Sequence, residues 1–205
     1  MGLRNFAFAL VSSSWLAAQE IATQVFPIET AHMTLTLPSD WIKMPEKALN
    51  NIRQEVQKIS PNIKSNYVVG FAGPKPPPNT PLTLLLVQVL PMDLTPDVFL
   101  TSAQASQKAL AMMRPDLSLK QTAPYVNDAI GAVVAPGQTQ KGSSGRSYTM
   151  PTSKGVITLD LYCPTEGAEK TFELVESCLK KLSFTGGVER NAKWLDEFKA
   201  ATKAK

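Results

Sequence analysis

Leu82 to Leu90 reads Leu-Thr-Leu-Leu-Leu-Val-Gln-Val-Leu, a nearly continuous apolar run. Because a strand points successive side chains to opposite faces, a run without polar alternation puts apolar groups on both faces at once. Such a strand is central, and each face of its sheet needs a covering layer. At 205 residues the chain is long enough for one domain of ordinary size with extensions at its ends.

The remaining segments supply those layers. Met33, Leu35 and Leu37 alternate with Thr34 and Thr36, which predicts a strand with one apolar face. Pro38 ends its ladder, and Trp41 can fold back over the apolar side as a lid. Val25 to Ile28, just before it, reads as a short edge strand. Leu49, Ile52, Val56 and Ile59 recur at helical spacing over Pro45 to Ile59, and Asn66 to Ala72 reads as a strand around Tyr67, Val69 and Phe71. The proline-rich stretch Gly73 to Pro81 is a stiff extended connection between two strands; docking in an aromatic groove is its other use. Thr95-Pro96-Asp97 starts a helix with a cap, a proline where no N–H is needed and an acid against the dipole. Its stripe is Phe99, Ala103, Ser106, Leu110 and Met113, and Pro115 ends it.

From Leu117 to Tyr162 the pattern is an antiparallel meander: Leu117 to Tyr125, Ala129 to Ala135, Arg146 to Met150 and Val156 to Tyr162. Gly142-Ser143-Ser144-Gly145 reads as one of its loops, without the lysine or the helix of a phosphate cradle. Ala168, Phe172, Val175, Cys178, Leu179 and Leu182 then form the stripe of a helix, and Leu182 to Phe184 closes with a short strand. Cys163 and Cys178 point to the same core, yet a helix running back along its strand separates them by roughly 15 Å, too far for a disulfide. Two buried free thiols are expected. After Gly187 the tail, 188–205, forms an amphipathic helix with Trp194, Leu195 and Phe198 against Lys193, Lys199, Lys203 and Lys205. It packs on its own domain, or it offers Trp194, Phe198, Lys193 and Lys199 to a partner or an acidic membrane surface. Removing it is expected to leave a folded domain.

Residues 1–18 have the form of an export signal: Arg4, an apolar core from Phe6 to Val11 continued by Trp15 and Leu16, then Ala17-Ala18. That apolar run is too short to span a bilayer of about 30 Å as a helix. The expected location is periplasmic or secreted. A net charge of +4 without clustering outside the tail is no nucleic-acid footprint. His32 is the single histidine and marks the start of a strand; one histidine cannot make a two-histidine metal site, and no nucleophile motif accompanies it. Asp160 and Glu173 are carboxylates explained by solvation. No catalytic, cofactor-binding or metal residues are assigned, and no cofactor is expected.

Two patches, Leu35-Thr36-Leu37-Pro38-Ser39-Asp40-Trp41 and Phe172 to Phe184, together with the order of elements, resemble the PsbP-like superfamily. It includes the photosystem II extrinsic P subunit, a yeast nuclear Ran-binding protein and bacterial secreted domains. The resemblance covers about Thr30 to Thr185, and it implies an α+β fold, a three-layer α/β/α sandwich on a largely antiparallel sheet. Domains follow as a signal over 1–18, a PsbP-like domain over 19–187 and a helical tail over 188–205. Members are mostly non-enzymatic, so the resemblance implies an exported binding or assembly factor that holds a protein partner. Alternatives are a small-ligand or lipid-binding protein and a periplasmic immunity-type inhibitor.

Overall fold

The computed structural model describes residues 22–59, 66–90, 94–113, 123–136 and 142–203. The segment read as an export signal and most of the strand expected over 117–125 lie outside the described residues. In chain order the first elements are β1 (Thr23–Ile28), a 3-10 turn (Glu29–Ala31), β2 (Met33–Pro38), β3 (Ile42–Lys43), α1 (Glu46–Ile59), β4 (Tyr67–Ala72) and β5 (Leu84–Leu90). After them come α2 (Pro96–Met113), β6 (Tyr125–Asn127), β7 (Ala132–Pro136), β8 (Ser143–Thr152), β9 (Gly155–Pro164), α3 (Ala168–Leu179), β10 (Ser183–Phe184) and α4 (Ala192–Lys203).

Seven strands make one antiparallel sheet in the order β3-β4-β5-β9-β8-β7-β6, and β1-β2-β10 make a second, smaller one. As the apolar run requires, β5 is interior, with Leu85, Leu86 and Val87 all buried. One face of the large sheet, including Phe71, Leu85, Val87 and Leu159, packs on Phe172, Val175 and Leu179 of α3 and on Met33, Leu35 and Leu37 of β2. Trp41 closes over this core at 2 % exposure. The other face carries two separate clusters. Leu49 of α1 covers Tyr67 and Leu86, while Leu100 of α2 joins Trp194, Leu195 and Phe198 of α4 over Val133. Gly70 lets α1 come this close, since a Cβ there would stand 2.8 Å from Met44 Sδ and 3.0 Å from Leu86 Cδ2. The fold is thus an α+β three-layer sandwich on an antiparallel sheet, with the small sheet sharing the layer of α3.

Two expectations need correction. Ser143 to Gly145, read as loop, belong to β8 and pair with Pro164, Cys163 and Tyr162 of β9. The β8–β9 hairpin is long enough for cross-strand pairing to override the turn preference of Gly and Ser. Ala129 to Gly131, read as strand, form the turn between β6 and β7, with Gly131 at a φ of +61°. Of the two readings of the tail, the structure has it packed on its own domain. Ser153 N–H donates to Glu189 O at 2.8 Å, Asn191 N–H to Pro151 O at 2.9 Å, and Arg190 bridges Thr152. Asn191 Oδ1 then caps α4 by accepting the Trp194 N–H at 3.0 Å. Deleting 188–205 therefore strips the cover from Leu100 and Val133.

The proline-rich stretch joins β4 to β5 as a hairpin connection, closed by Gly73 N–H donating to Thr83 O at 2.9 Å. Cys163 and Cys178 are free and buried, and burial pushes the Cys163 thiol up to about 11, which keeps it unreactive at neutral pH.

Candidate functional site

β4 switches faces within its own length. Tyr67 pairs with Gln88 and Val69 with Val87, which leaves Val68 as the extra residue of a β-bulge. Tyr67 consequently joins Leu49 and Leu86 beneath α1, whereas Val69 and Phe71 enter the main core. Val68 and Val69 are both turned onto a cleft of about 480 Å³ between the two sheets. Phe26, Pro27 and Ile28 of β1 form its opposite wall, and the sheets meet where the Phe26 and Phe71 rings lie 4.8 Å apart. Two exposed charges of opposite sign, Glu29 and Lys43, also line it. β1 is an outer strand of the small sheet and β3 of the large one, so the cleft opens where two sheet edges come together. An apolar bottom with charged margins suits an apolar side chain or a small apolar ligand.

On the opposite face Asp160 is half-buried and hydrogen-bonded, not simply solvated as its lone position on a strand suggested. Its carboxylate accepts from Ser147 Oγ at 2.7 Å, Gln88 Nε2 at 3.1 Å and the Tyr67 hydroxyl at 3.2 Å. Burial raises its pKa despite these three donors, and burial beside Asp160 pushes Tyr162 up to about 12. Ser147 and Asp160 have no imidazole between them, because His32 sits exposed in the turn before β2, in the left-handed conformation at a φ of +47°. Glu173 lies on the exposed side of α3, as expected. Among the described residues no three His, Cys, Asp or Glu side chains are grouped to hold a metal ion.

The four tail residues assigned to partner contact separate by burial. Phe198 is fully buried and Trp194 nearly so, stacked at 5.6 Å in a cluster with Phe99, and the Trp194 indole N–H donates to the Leu94 carbonyl. Lys193 is exposed, and Lys199 donates to Asp128 at 2.6 Å. α4 thus turns its aromatics inward and its charges outward, where Lys193 pairs with Glu197 at 3.7 Å and Lys199 with Asp196 at 3.5 Å. The cleft residues were missed because nothing in Tyr-Val-Val-Gly-Phe announces a bulge; Pro27 inside an edge strand was the available signal.

No family model matches the chain, and no curated protein does. Solved structures are similar to it, among them two. One is the solution structure of cyanobacterial PsbP (CyanoP) from Synechocystis sp. PCC 6803, 11 % identical with a TM-score of 0.47, over 82 % of this chain and 95 % of that one. The likeness is of fold alone. The other is the crystal structure of LpqN, involved in cell envelope biogenesis of Mycobacterium tuberculosis, 16 % identical with a TM-score of 0.43, over 75 % of this chain and 83 % of that one.

Proposed function

We propose that this chain is an exported, non-enzymatic binding or assembly factor, and that it holds an apolar side chain of a protein partner in the cleft between its sheets. The observation that carries the reading is the cleft itself: Val68 and Val69, turned onto it by the bulge, face Phe26 and Pro27 across an opening flanked by Glu29 and Lys43. Such a site needs no reacting group, and the first eighteen residues have the composition of an export signal. On α4 the exposed Lys193, paired only with Glu197 at 3.7 Å, offers a secondary contact with the partner or with an acidic membrane surface.

A cleft of about 480 Å³ also suits a small apolar ligand, which is the second reading. Val68→Trp tests both, because Val68 is half-buried on the cleft wall at the margin of the main core, where a larger ring fills the cleft. The expected result is that the variant keeps the wild-type circular dichroism spectrum and loses the protein that wild type retains after crosslinking. A lipid or other small apolar molecule in the extract of wild type, absent from the variant, would replace the partner with a ligand. A folded variant that retains everything wild type retains would remove the cleft from the function.

A further inference from the structure

Three arginines lie among the described residues, and two have their guanidinium groups engaged. Arg53 donates to Tyr67 O at 2.9 Å and to Glu46 at 2.6 Å. Arg146 lies 4.0 Å over the Phe172 ring and donates to Glu176 at 2.9 Å and Glu169 at 3.3 Å, fastening α3 to the sheet. Arg190 differs. Its guanidinium has no acceptor among the described residues, and burial alone acts on its pKa, downward, with no carboxylate contributing. Among the described residues no side-chain nitrogen is both sealed from solvent and unpaired.

The surrounding fold holds this free fork in place. The backbone of Arg190 is fixed by its bridge to Thr152. Its side chain lies along Gly131, where a Cβ would stand 2.6 Å from Nη1 and 2.9 Å from Cδ, and its guanidinium carbon is 5.9 Å from the centre of the Phe184 ring. Other basic groups gather on the loop leading to it. Lys154 Nζ donates to Gly186 O at 3.0 Å, and His32 Nδ1 lies 3.0 Å from where a Gly186 Cβ would be.

We propose that Arg190 anchors an anion site at this end of the sandwich, taking a phosphate group bidentately with Lys154 as the second cation. A planar fork of donors kept in position by packing matches a phosphate edge, and two cations suit its charge better than they suit a single carboxylate. The site is independent of the inter-sheet cleft, so either can fail without the other.

The test follows the Nε–Hε resonance of Arg190 in the purified protein during titration with inorganic phosphate, with acetate as the comparison. The expected result is a saturable shift with phosphate and binding at least about tenfold weaker with acetate. Gly131→Ala, whose added methyl must displace the guanidinium, is expected to weaken phosphate binding by about tenfold or more, and Arg190→Gln to abolish the shifts of neighbouring amides. Flotation with phosphatidylglycerol vesicles against phosphatidylcholine vesicles then tells a lipid headgroup from a free phosphate compound. An Arg190 resonance unmoved by phosphate overturns the proposal, and wild type alone decides that even where a variant fails to fold. Amide shifts unchanged in a folded Arg190→Gln variant overturn it as well.

Discussion

Asp160 shows how one residue can be read correctly for direction and wrongly for environment. Strand alternation puts it opposite Ile157, Leu159 and Leu161, and that is where it lies. Sequence could not show that Tyr67, Gln88 and Ser147, far apart in the chain, converge on its two oxygens. The folded state holds the Asp160 proton more tightly than the unfolded chain does, because burial raises its pKa. Between the ordinary aspartate value near 3.9 and the raised folded value, the native state therefore binds more protons than the unfolded one, and stability falls as pH rises. The contribution is fully present below the unfolded pKa and is lost once pH has passed the folded pKa. Urea denaturation at a series of pH values should show this decline in wild type, with a slope of at most about 1.4 kcal/mol per pH unit from this group. Asp160→Asn, which cannot ionise, should lose that component; an identical pH profile in both proteins would mean that Asp160 is as solvated folded as unfolded.

At the scale of elements, local periodicity identified α1, α3, α4, β2 and β5, because each carries one stripe or run whose burial needs no knowledge of its partner. Boundaries that depend on a partner were not legible: β8 extends back through Ser143 because β9 is there to pair with it. Between these cases lies α4. Its stripe of Trp194, Leu195 and Phe198 was visible, but whether it faced inward rested on Leu100 and Val133, which the stripe read for α2 did not include. Phe198→Ala should cost about 3–5 kcal/mol of stability by leaving a cavity between α2, α4 and β7, whereas Lys193→Ala, on the exposed side, should stay within about 0.5 kcal/mol. Chemical denaturation followed by tryptophan fluorescence measures both. Comparable stabilities for the two variants would mean that α4 is not docked in solution, and the tail would then be free to carry its aromatics to a partner.

For the whole molecule, Leu82 to Leu90 demanded two covering layers, and amphipathic stretches of the right length were present to supply them, so the sandwich was legible. The cleft was not, because it exists only where β1 and β4 of different sheets meet and because a single extra residue, Val68, alters which side chains face it. Nor was Arg190 legible as unpaired among the described residues, since an unmade ion pair has no signature in a sequence. The account rests on the cleft as a place where another protein is held outside the cytoplasm. A photoreactive amino acid at exposed Pro27, activated in intact cells and compared with the same group at exposed Lys170 on α3, tests that directly. The account predicts one dominant protein adduct in the exported fraction from Pro27 and none from Lys170. The same adducts from both positions, or none from Pro27 where the protein is exported and folded, would contradict it.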